Sequence, residues 1–437
     1  MLKVVKFGGS SLADACQFAK VKRIVEADEA RRVVVVSAPG KRSSDDYKIT
    51  DLLYLCAAHI KYKVSSKDIF DMIRGRYQEI ASELHLTLDI DKEFAELWDQ
   101  MQKGMTEDEL ASRGEYFSAR LMADYLGFDF IDAAHWVKFN FDGTVNQEHS
   151  YQALTQFTEG HKVVIPGFYG VMPDGRVHTF TRGGSDVTGA LAAAALKADV
   201  YENWTDVSGI LMADPRVVKN PQPIKLVTYS ELRELSYMGA SVLHDEAIFP
   251  VREANIPLNI RNTNEPENTG TTILEKISGD NSCIHITGIA GRKGMSVISI
   301  SKVGMSSESG ALLQILDILA KRNINVEYIP SGIDSISIVV SSERVEKCLY
   351  EMLGEIQKYF KPDKIAVTEH IATIAVVSRK ISEMPQLQGI ILSALGKQGI
   401  NIKMVVQGAD ALNVIIGIEE NVFEKAMQAI YNEFVKE

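Results

Sequence analysis

The chain of 437 residues has few cysteines, and they are far apart. The four are Cys16, Cys56, Cys283 and Cys348. Because they form no C-x-x-C pair, the sequence argues against a disulfide framework and against a structural zinc site. The run His244-Asp245-Glu246 has metal-ligating side chains but no partner group at a ligand spacing. We therefore expect reduced thiols and assign no metal ligand.

The sequence also lacks long apolar runs and an excess of positive charge. Its longest apolar stretch, around residues 190–196, is far shorter than the ~20 residues that cross a bilayer. The first residues contain no signal-peptide apolar region. Lys and Arg number 47 against 58 Asp and Glu, and the net charge of −11 disfavours broad binding to nucleic-acid phosphates. We expect a cytoplasmic protein that binds neither nucleic acid nor a membrane.

In the first two thirds of the sequence, predicted strands alternate with predicted helices. Strand patterns lie at 2–7, 32–37, 162–165 and 200–204, and the second of these is a continuous valine run. Such a run is typical of a strand buried on both faces. The alternation predicts a layered α/β domain with a mostly parallel central sheet, over residues 1–280.

The last third contains an internal repeat with an offset of 76 residues. Ile324-Asn325-Val326 matches Ile400-Asn401-Ile402, and residues 336–340 match 412–416. The pattern predicts two βαββαβ-like units, which we place at 281–367 and 368–437. A strand predicted at 284–289 is assigned to the first unit, with pairing to the second left open.

Two glycine-rich turns each precede a predicted helix. In Lys6-Phe7-Gly8-Gly9-Ser10-Ser11, the glycines let backbone N–H groups approach phosphate oxygens, and Lys6 adds a point charge. In Thr181-Arg182-Gly183-Gly184-Ser185-Asp186, the Arg182 guanidinium suits a carboxylate. A capped turn explains each motif alone, but the recurrence favours a binding site for anions.

Two further motifs are ambiguous when taken alone. The first is Thr205-Asp206-Val207-Ser208-Gly209-Ile210-Leu211 with Asp214-Pro215-Arg216, which follows a strand at the end where open α/β sheets bind ligands. The second is Ser112-Arg113-Gly114-Glu115, which opens a helix and also fits a capping box.

Together with Val-Val-Ser-Ala-Pro-Gly at 35–40, these motifs resemble the amino acid kinase family and, within it, the aspartate kinases. The C-terminal repeat resembles the paired ACT units of such enzymes. The resemblance implies a layered amino acid kinase-like sandwich followed by two ferredoxin-like ACT units. It also implies ATP-dependent phosphorylation of the L-aspartate β-carboxylate, with Mg²⁺, as the first step of lysine, threonine and methionine synthesis.

The resemblance also assigns site residues. Lys6 and Asp186 are the implied catalytic residues. The implied nucleotide-binding residues are Lys6, Phe7, Gly8, Gly9, Ser10, Thr205, Asp206, Leu211, Arg216, Ser241 and Val242. The implied aspartate-binding residues are Ser37, Thr50, Glu115, Arg182, Gly183, Gly184 and Ser185, with Arg182 on the α-carboxylate and Glu115 on the ammonium. The implied effector residues are Met305, Glu308, Gly310, Ala311, Leu312, Val326 and Glu327.

The acidic Glu327 favours L-lysine as the inhibitor, with L-threonine as the alternative. A homodimer or a dimer of dimers through the ACT units is expected. Two other functions stay open at this point: another amino acid kinase, acting on glutamate or N-acetylglutamate, and an ACT amino-acid sensor without catalysis.

Overall fold

The computed structural model describes residues 1–181, 183–239, 245–277, 286–409 and 412–435. Within them the chain forms two compact units. The first unit comprises Met1–Ile210, Pro223–Tyr229 and Val242–Ser278, and the second comprises Leu211–Gln222, Ser230–Ser241 and Gly279–Glu437. The second unit therefore includes two segments from inside the range 1–280, and the domain limits given by the sequence stay predictions.

The part of the chain up to residue 277 alternates strands and helices. Its strands are β1 Lys3–Phe7, β2 Arg31–Val36, β3 Asp129–Phe130, β4 Val163–Pro166, β5 Tyr169–Val171, β6 Val177–Thr179, β7 Val200–Thr205, β8 Ile210–Leu211, β9 Pro223–Ile224, β10 Leu226–Thr228, β11 Leu258–Asn262 and β12 Thr271–Leu274. Its helices are α1 Ala15–Glu26, α2 Ile49–Lys61, α3 Lys67–Glu83, α4 Ile90–Lys103, α5 Glu107–Ala111, α6 Arg113–Leu126, α7 Ala133–Trp136, α8 Gln147–Thr158, α9 Gly184–Ala195, α10 Tyr229–Tyr237 and α11 Asp245–Glu253.

The first unit is built on an eight-stranded sheet in the order β10-β12-β11-β7-β1-β2-β4-β3. Every neighbouring pair is parallel except β11–β12. The valines of β2 are almost fully buried, as the continuous valine run predicts, because helices cover both faces of such a sheet. The predicted mostly parallel α/β architecture is confirmed.

Helix α1 shows why the local sequence folds as it does. The Asp14 carboxylate caps its N-terminus by accepting a hydrogen bond from the Gln17 backbone N–H at 2.9 Å. Phe18, Val21 and Val25 recur at three- and four-residue spacing and are buried in the core of the unit. The preceding Gly9–Leu12 segment is a 3₁₀ turn, so the first glycine turn opens a 3₁₀ turn rather than the α-helix itself.

The elements from residue 288 onward belong to the second unit. Its strands are β13 Gly288–Ser301, β14 Ser335–Ser341, β15 Lys364–Val377, β16 Ile402–Val406 and β17 Asn413–Glu419. Its helices are α12 Ala311–Ala320, α13 Ser342–Val345, α14 Leu349–Tyr359, α15 Leu387–Lys397 and α16 Phe423–Phe434. The strands form one antiparallel sheet in the order β14-β13-β15-β17-β16.

The long strands β13 and β15 join the two halves of the predicted repeat in this single sheet. Gly288 and Ile289, in the described part of the segment 284–289, pair with Val377 and Val376 of β15, while the unit to which this segment is assigned stays a prediction. The two halves also differ. Ile402 begins β16, whereas the matching stretch after Ile324 makes isolated bridges, such as that between Tyr328 and Val339.

In the described part of the chain, no helix is both long and apolar enough to cross a lipid bilayer.

Candidate functional site

The carboxyl ends of four neighbouring parallel strands, β7, β1, β2 and β4, meet at one edge of the large sheet. Backbone hydrogen bonds continue from strand to strand beyond their ends. The Gly8 N–H donates to the Trp204 carbonyl at 2.9 Å, and the Ser37 N–H donates to the Phe7 carbonyl at 3.1 Å. The loops after β1, β2 and β7 therefore lie side by side, as expected of ligand sites in open α/β sheets.

Two of these loops touch through glycine backbones. The Gly40 N–H donates to the Gly9 carbonyl at 2.8 Å. A Cβ atom on Gly9 would lie 2.9 Å from the Ala38 carbonyl oxygen, and one on Gly40 would lie 2.7 Å from the Gly9 carbonyl carbon. Only glycine permits this approach, so the loop after β1 is fixed against the loop after β2.

Lys6 lies at the centre of this edge in a buried cluster of charge. Its Nζ is 2.5 Å from Oδ1 of Asp186, and only 7% of the residue is exposed. Asp186 stands in the first turn of α9, so the cluster joins β1 to that helix. The sequence predicted both as catalytic residues, and the structure brings them into contact. A buried ammonium needs such a partner because an unpaired charge is strongly disfavoured away from water.

Glu115 faces the same cluster from the first turn of α6. Its residue is 5% exposed, and its Oε2 atom is buried with no hydrogen-bond partner among the described residues. Burial raises the pKa of the Glu115 carboxyl to about 8, although the Ala38 backbone N–H and the positive charge of Lys6 act in the opposite direction. The carboxyl is thus largely protonated at pH 7 and has one oxygen free for a donor.

The second glycine turn lies at the start of α9. Gly183 adopts a left-handed φ of 57°, and the Asp186 N–H donates to its carbonyl at 2.8 Å. Ser185 is buried, and a Cβ on Gly167 after β4 would lie 2.5 Å from it. Gly183, Gly184 and Ser185 therefore lie at the same sheet edge as Lys6. Arg182 lies outside the described residues.

The other predicted site residues are placed as follows. Phe7 is fully buried core, Ser10 is in the 3₁₀ turn, and Thr50 is the second residue of α2. The Ile49 N–H donates to the Pro39 carbonyl at 3.2 Å, which fixes the start of α2 to the loop after β2. Thr205 ends β7, and its hydroxyl lies 3.2 Å from a carboxylate oxygen of exposed Asp206. Ser241 and Val242 lie outside the described residues.

Leu211 and Arg216 belong to the second unit. Arg216 is 85% exposed in its side chain, and its guanidinium makes a bidentate ion pair with Asp214, with N–O distances of 3.0 and 2.7 Å. The Asp-Pro-Arg motif thus folds into a turn that is closed by its own ion pair.

The predicted effector residues fall into two groups. Met305, Ala311 and Val326 pack in the apolar core beneath the sheet of the second unit. Gly310 and Leu312 are exposed at the start of α12, and the Glu308 carboxylate pairs with the Lys302 ammonium.

Glu327 is already partnered. An Arg292 guanidinium nitrogen lies 2.5 Å from its carboxylate, and the Tyr237 hydroxyl donates to the same oxygen at 2.6 Å. The Arg292 guanidinium also lies 4.7 Å from the centre of the Tyr237 ring, in a cation–π contact. The pairing with Glu327 and the Tyr237 hydroxyl holds the pKa of Arg292 above its usual value against the effect of burial.

Sequence reasoning missed three of these residues. Asn203 touches both Lys6 and Asp186, and Tyr237 and Arg292 hold Glu327. A signal for Asn203 was present, because a polar pair at 202–203 interrupts an otherwise buried strand just before the Thr-Asp motif. Tyr237 and Arg292 are far from Glu327 in the sequence, and no local pattern identifies them.

Comparison with known proteins gives the family. The model of the amino acid kinase family matches residues 1–262, and an ACT domain model matches residues 374–434. Aspartokinase 3 of Bacillus subtilis is 37% identical over 449 residues, which cover 99% of this chain and 98% of that protein.

Solved structures agree with this result. Clostridium acetobutylicum aspartate kinase, 45% identical, superposes with a TM-score of 0.92 over 99% of this chain and 100% of that one. Escherichia coli aspartokinase III in complex with aspartate and ADP is 25% identical, with a TM-score of 0.73 and coverage of 99% of each chain. The chain therefore belongs to the amino acid kinase family, within its aspartate kinase group, and it carries an ACT domain near its C-terminal end.

Proposed function

We propose that the chain transfers the γ-phosphoryl group of ATP to the β-carboxylate of L-aspartate, giving 4-phospho-L-aspartate and ADP. This reaction would be the first step of lysine, threonine and methionine synthesis. The observation that carries the proposal is the buried Lys6–Asp186 pair beside Glu115, at the sheet edge where the glycine turns meet. The E. coli relative holds aspartate and ADP in its crystal structure.

The nucleophile needs no general base. A β-carboxylate has a reference pKa near 3.9 and is ionised at neutral pH. The obstacle is the approach of one anion to another, which amounts to about 4 kcal/mol at ~4 Å for an effective dielectric of 20. Lys6 offsets this repulsion, and the same charge stabilises the transition state as negative charge shifts along the transferred group.

The Glu115 carboxyl is assigned to the substrate ammonium. A protonated carboxyl has to lose its proton to pair with a cation, and the charge of an incoming ammonium lowers its pKa. The unpartnered Oε2 atom gives the ammonium a place to bind. This arrangement favours an amino acid with a free α-amino group over N-acetylglutamate, in which that group is acylated. Arg182 is proposed to grip the α-carboxylate.

Mg²⁺ is proposed to accompany the ATP. In the described ranges no three His, Cys, Asp or Glu side chains converge so that they could hold a metal ion. Mg²⁺ does not require such a cluster, because it usually keeps several waters and is held by substrate phosphates with one or two carboxylates. When bound, the ion would neutralise charge on the β- and γ-phosphates, while Lys6 orients the transferred group.

Regulation by L-lysine through Glu327 is the second part of the proposal. A carboxylate that already holds a guanidinium is suited to a long cationic side chain, which would have to replace Arg292. Inhibition then requires lysine to prefer an inactive arrangement, because equal binding to both arrangements shifts nothing. L-threonine is the alternative effector, and a homodimer through the ACT units is the proposed assembly.

The test is ADP release from Mg-ATP with L-aspartate, L-glutamate or N-acetyl-L-glutamate as the acceptor, with and without L-lysine or L-threonine. We expect turnover with aspartate alone, suppressed by lysine. Turnover with glutamate or N-acetylglutamate instead would reassign the acceptor. Suppression by threonine alone would overturn the effector, and lysine binding without turnover on any acceptor would indicate a sensor.

A further inference from the structure

A polar residue that the sequence did not identify stands beside the reactive lysine. Asn203 is in β7, directly opposite Lys6 of β1 in the parallel register, so both side chains point to the same face of the sheet. Only 3% of Asn203 is exposed. A buried amide in a central strand is unfavourable unless its donors and acceptor are used.

Within the described ranges the Asn203 amide makes two hydrogen bonds, and both are with the charged pair. Its Nδ2 donates to Oδ1 of Asp186 at 3.0 Å, and its Oδ1 accepts from the Lys6 ammonium at 3.4 Å. Lys6 contacts the same Oδ1 of Asp186 at 2.5 Å. One carboxylate oxygen thus has two donors, one charged and one neutral.

This shared oxygen matters because Lys6 has a second task. When the ammonium turns to the transferred phosphoryl group, Asp186 loses its strongest partner while it remains largely buried. We propose that Asn203 is a positioning residue for phosphoryl transfer, whose amide holds the Asp186 carboxylate in place while Lys6 engages the phosphates. The inference rests on the proposed roles of Lys6 and Asp186.

The neutrality of Asn203 is part of the argument. Among the residues that the structure describes, the titratable groups that face the cluster are Lys6, Asp186, Glu115 and the hydroxyl of Tyr201, which donates to the Asp186 backbone carbonyl at 3.1 Å. Glu202 pairs with Lys3 and Arg31 on the opposite face of the strand. A second carboxylate at position 203 would compete with Asp186 for Lys6, and a second cation would occupy Asp186 permanently, whereas an amide does neither.

The experiment is the pH profile of Asn203→Asp relative to the wild-type chain, with full-length protein and saturating Mg-ATP. The new carboxyl has the shape of the amide but donates to Asp186 only when it is protonated. We expect kcat to fall about 10²-fold at pH 9, and the ratio to wild type to recover by about tenfold towards pH 6. The aspartate KM should change by less than about threefold.

A matched control is Asn259→Asp in β11. The Asn259 amide donates to two backbone carbonyls and to the Thr272 hydroxyl, away from Lys6 and Asp186. The ratio of the kcat of N259D to that of the wild type should not vary with pH. A pH-independent loss in N203D, like that of the control, would reduce Asn203 to a packing residue and overturn the inference. A rise in aspartate KM with unchanged kcat would overturn it as well.

Two further variants keep the test decisive. If N203D does not fold by circular dichroism, Asn203→Ser provides a smaller change, with an expected loss in kcat at unchanged aspartate KM. Full activity of N203S would contradict the inference. Lys6→Ala separates the two proposals: turnover by K6A would reject the catalytic assignment itself, whereas an inactive K6A with a pH-independent N203D rejects only the role of Asn203.

Discussion

Two glutamates, buried Glu115 in the first unit and partly buried Glu327 in the second, have opposite surroundings. Glu115 is 5% exposed and has an oxygen without a partner among the described residues, and burial raises its pKa to about 8. The Glu327 side chain is 10% exposed, and it accepts hydrogen bonds from Arg292 and Tyr237 at 2.5 and 2.6 Å. The first carboxyl is left open, whereas the second is already occupied.

The difference indicates how each unit would respond to a ligand. At Glu115 an incoming ammonium would add a partner that the described residues do not supply to Oε2, so binding would complete the site. At Glu327 an incoming cation would have to replace Arg292, and that replacement would also remove the cation–π contact between Arg292 and Tyr237 of α10. If Glu115 binds the substrate and Glu327 the effector as proposed, substrate binding would need little rearrangement, whereas effector binding would exchange one set of contacts for another, as a switch requires.

The largest expected effect is the loss of kcat on replacing Lys6, which should leave effector binding in the second unit intact. Lys6→Ala removes the charge at the phosphates and should lower kcat by at least about 10²–10³-fold. Lysine binding, measured by calorimetry, should be unchanged. Lys3→Ala is the matched control, because Lys3 is on the same strand but pairs with Asp28 and Glu202. Retained turnover in K6A would contradict the assignment of phosphoryl transfer to the Lys6 cluster of the first unit.

The next effect concerns Glu327, the carboxylate that already has internal partners. Glu327→Gln keeps the shape but removes the charge that would hold a cationic effector. The lysine concentration for half inhibition should rise by about tenfold or more, with kcat unchanged. Glu355→Gln, which removes one of the two carboxylate partners of Arg322 elsewhere in the same unit, should leave the lysine response unaltered. Equal responses of the two variants would exclude Glu327 from the effector site.

Removing the Arg292 guanidinium from Glu327 should shift the inhibitory lysine concentration in the opposite direction. Arg292→Met keeps much of the apolar stem but frees Glu327 from its guanidinium. Lysine should then inhibit at a concentration lower by about tenfold, because it no longer has to displace an internal cation. Steady-state inhibition curves measure this shift. A higher inhibitory concentration in R292M would mean that Arg292 helps to form the effector site.

The smallest effect is on stability. The Glu115 pKa of about 8 in the folded chain lies above the 4.5 of an exposed glutamate. Stability from the retained proton is therefore fully present below pH 4.5 and is lost as pH rises through 8. Glu115→Gln is permanently neutral, so its Tm should exceed that of the wild type at pH 9 and match it near pH 5. An equal difference at both pH values would contradict the raised pKa.

The sequence predicted the fold of the first unit well because its signals are local. The valine run of β2 and the glycine turns each occupy a few consecutive residues. Lys6 and Asp186 could be grouped only through the family resemblance, since 180 residues separate them and only the register of β1 beside β7 and α9 brings them together.

What could not be predicted depends on distant contacts. The Arg292–Glu327–Tyr237 cluster joins residues that are 35 and 90 positions apart, and no sequence period links them. Asn203 is a single polar residue in a buried strand, and only its register against Lys6 gives it a role. The stretch after Ile324 matches the one that begins β16 in the other half of the repeat, yet it makes only isolated bridges in the described structure, because pairing along the sheet edge decides whether such a segment becomes a strand.

The most direct test of the role of the Glu115 carboxyl is the number of protons released when L-aspartate binds at pH 7. Calorimetry in two buffers of different ionisation enthalpy measures it, with ADP present and no turnover. We predict release of about one proton at pH 7, release that declines towards zero above pH 9, and none from Glu115→Gln. Aspartate binding without proton release at pH 7 would contradict the account, since Glu115 would then be already charged or away from the substrate.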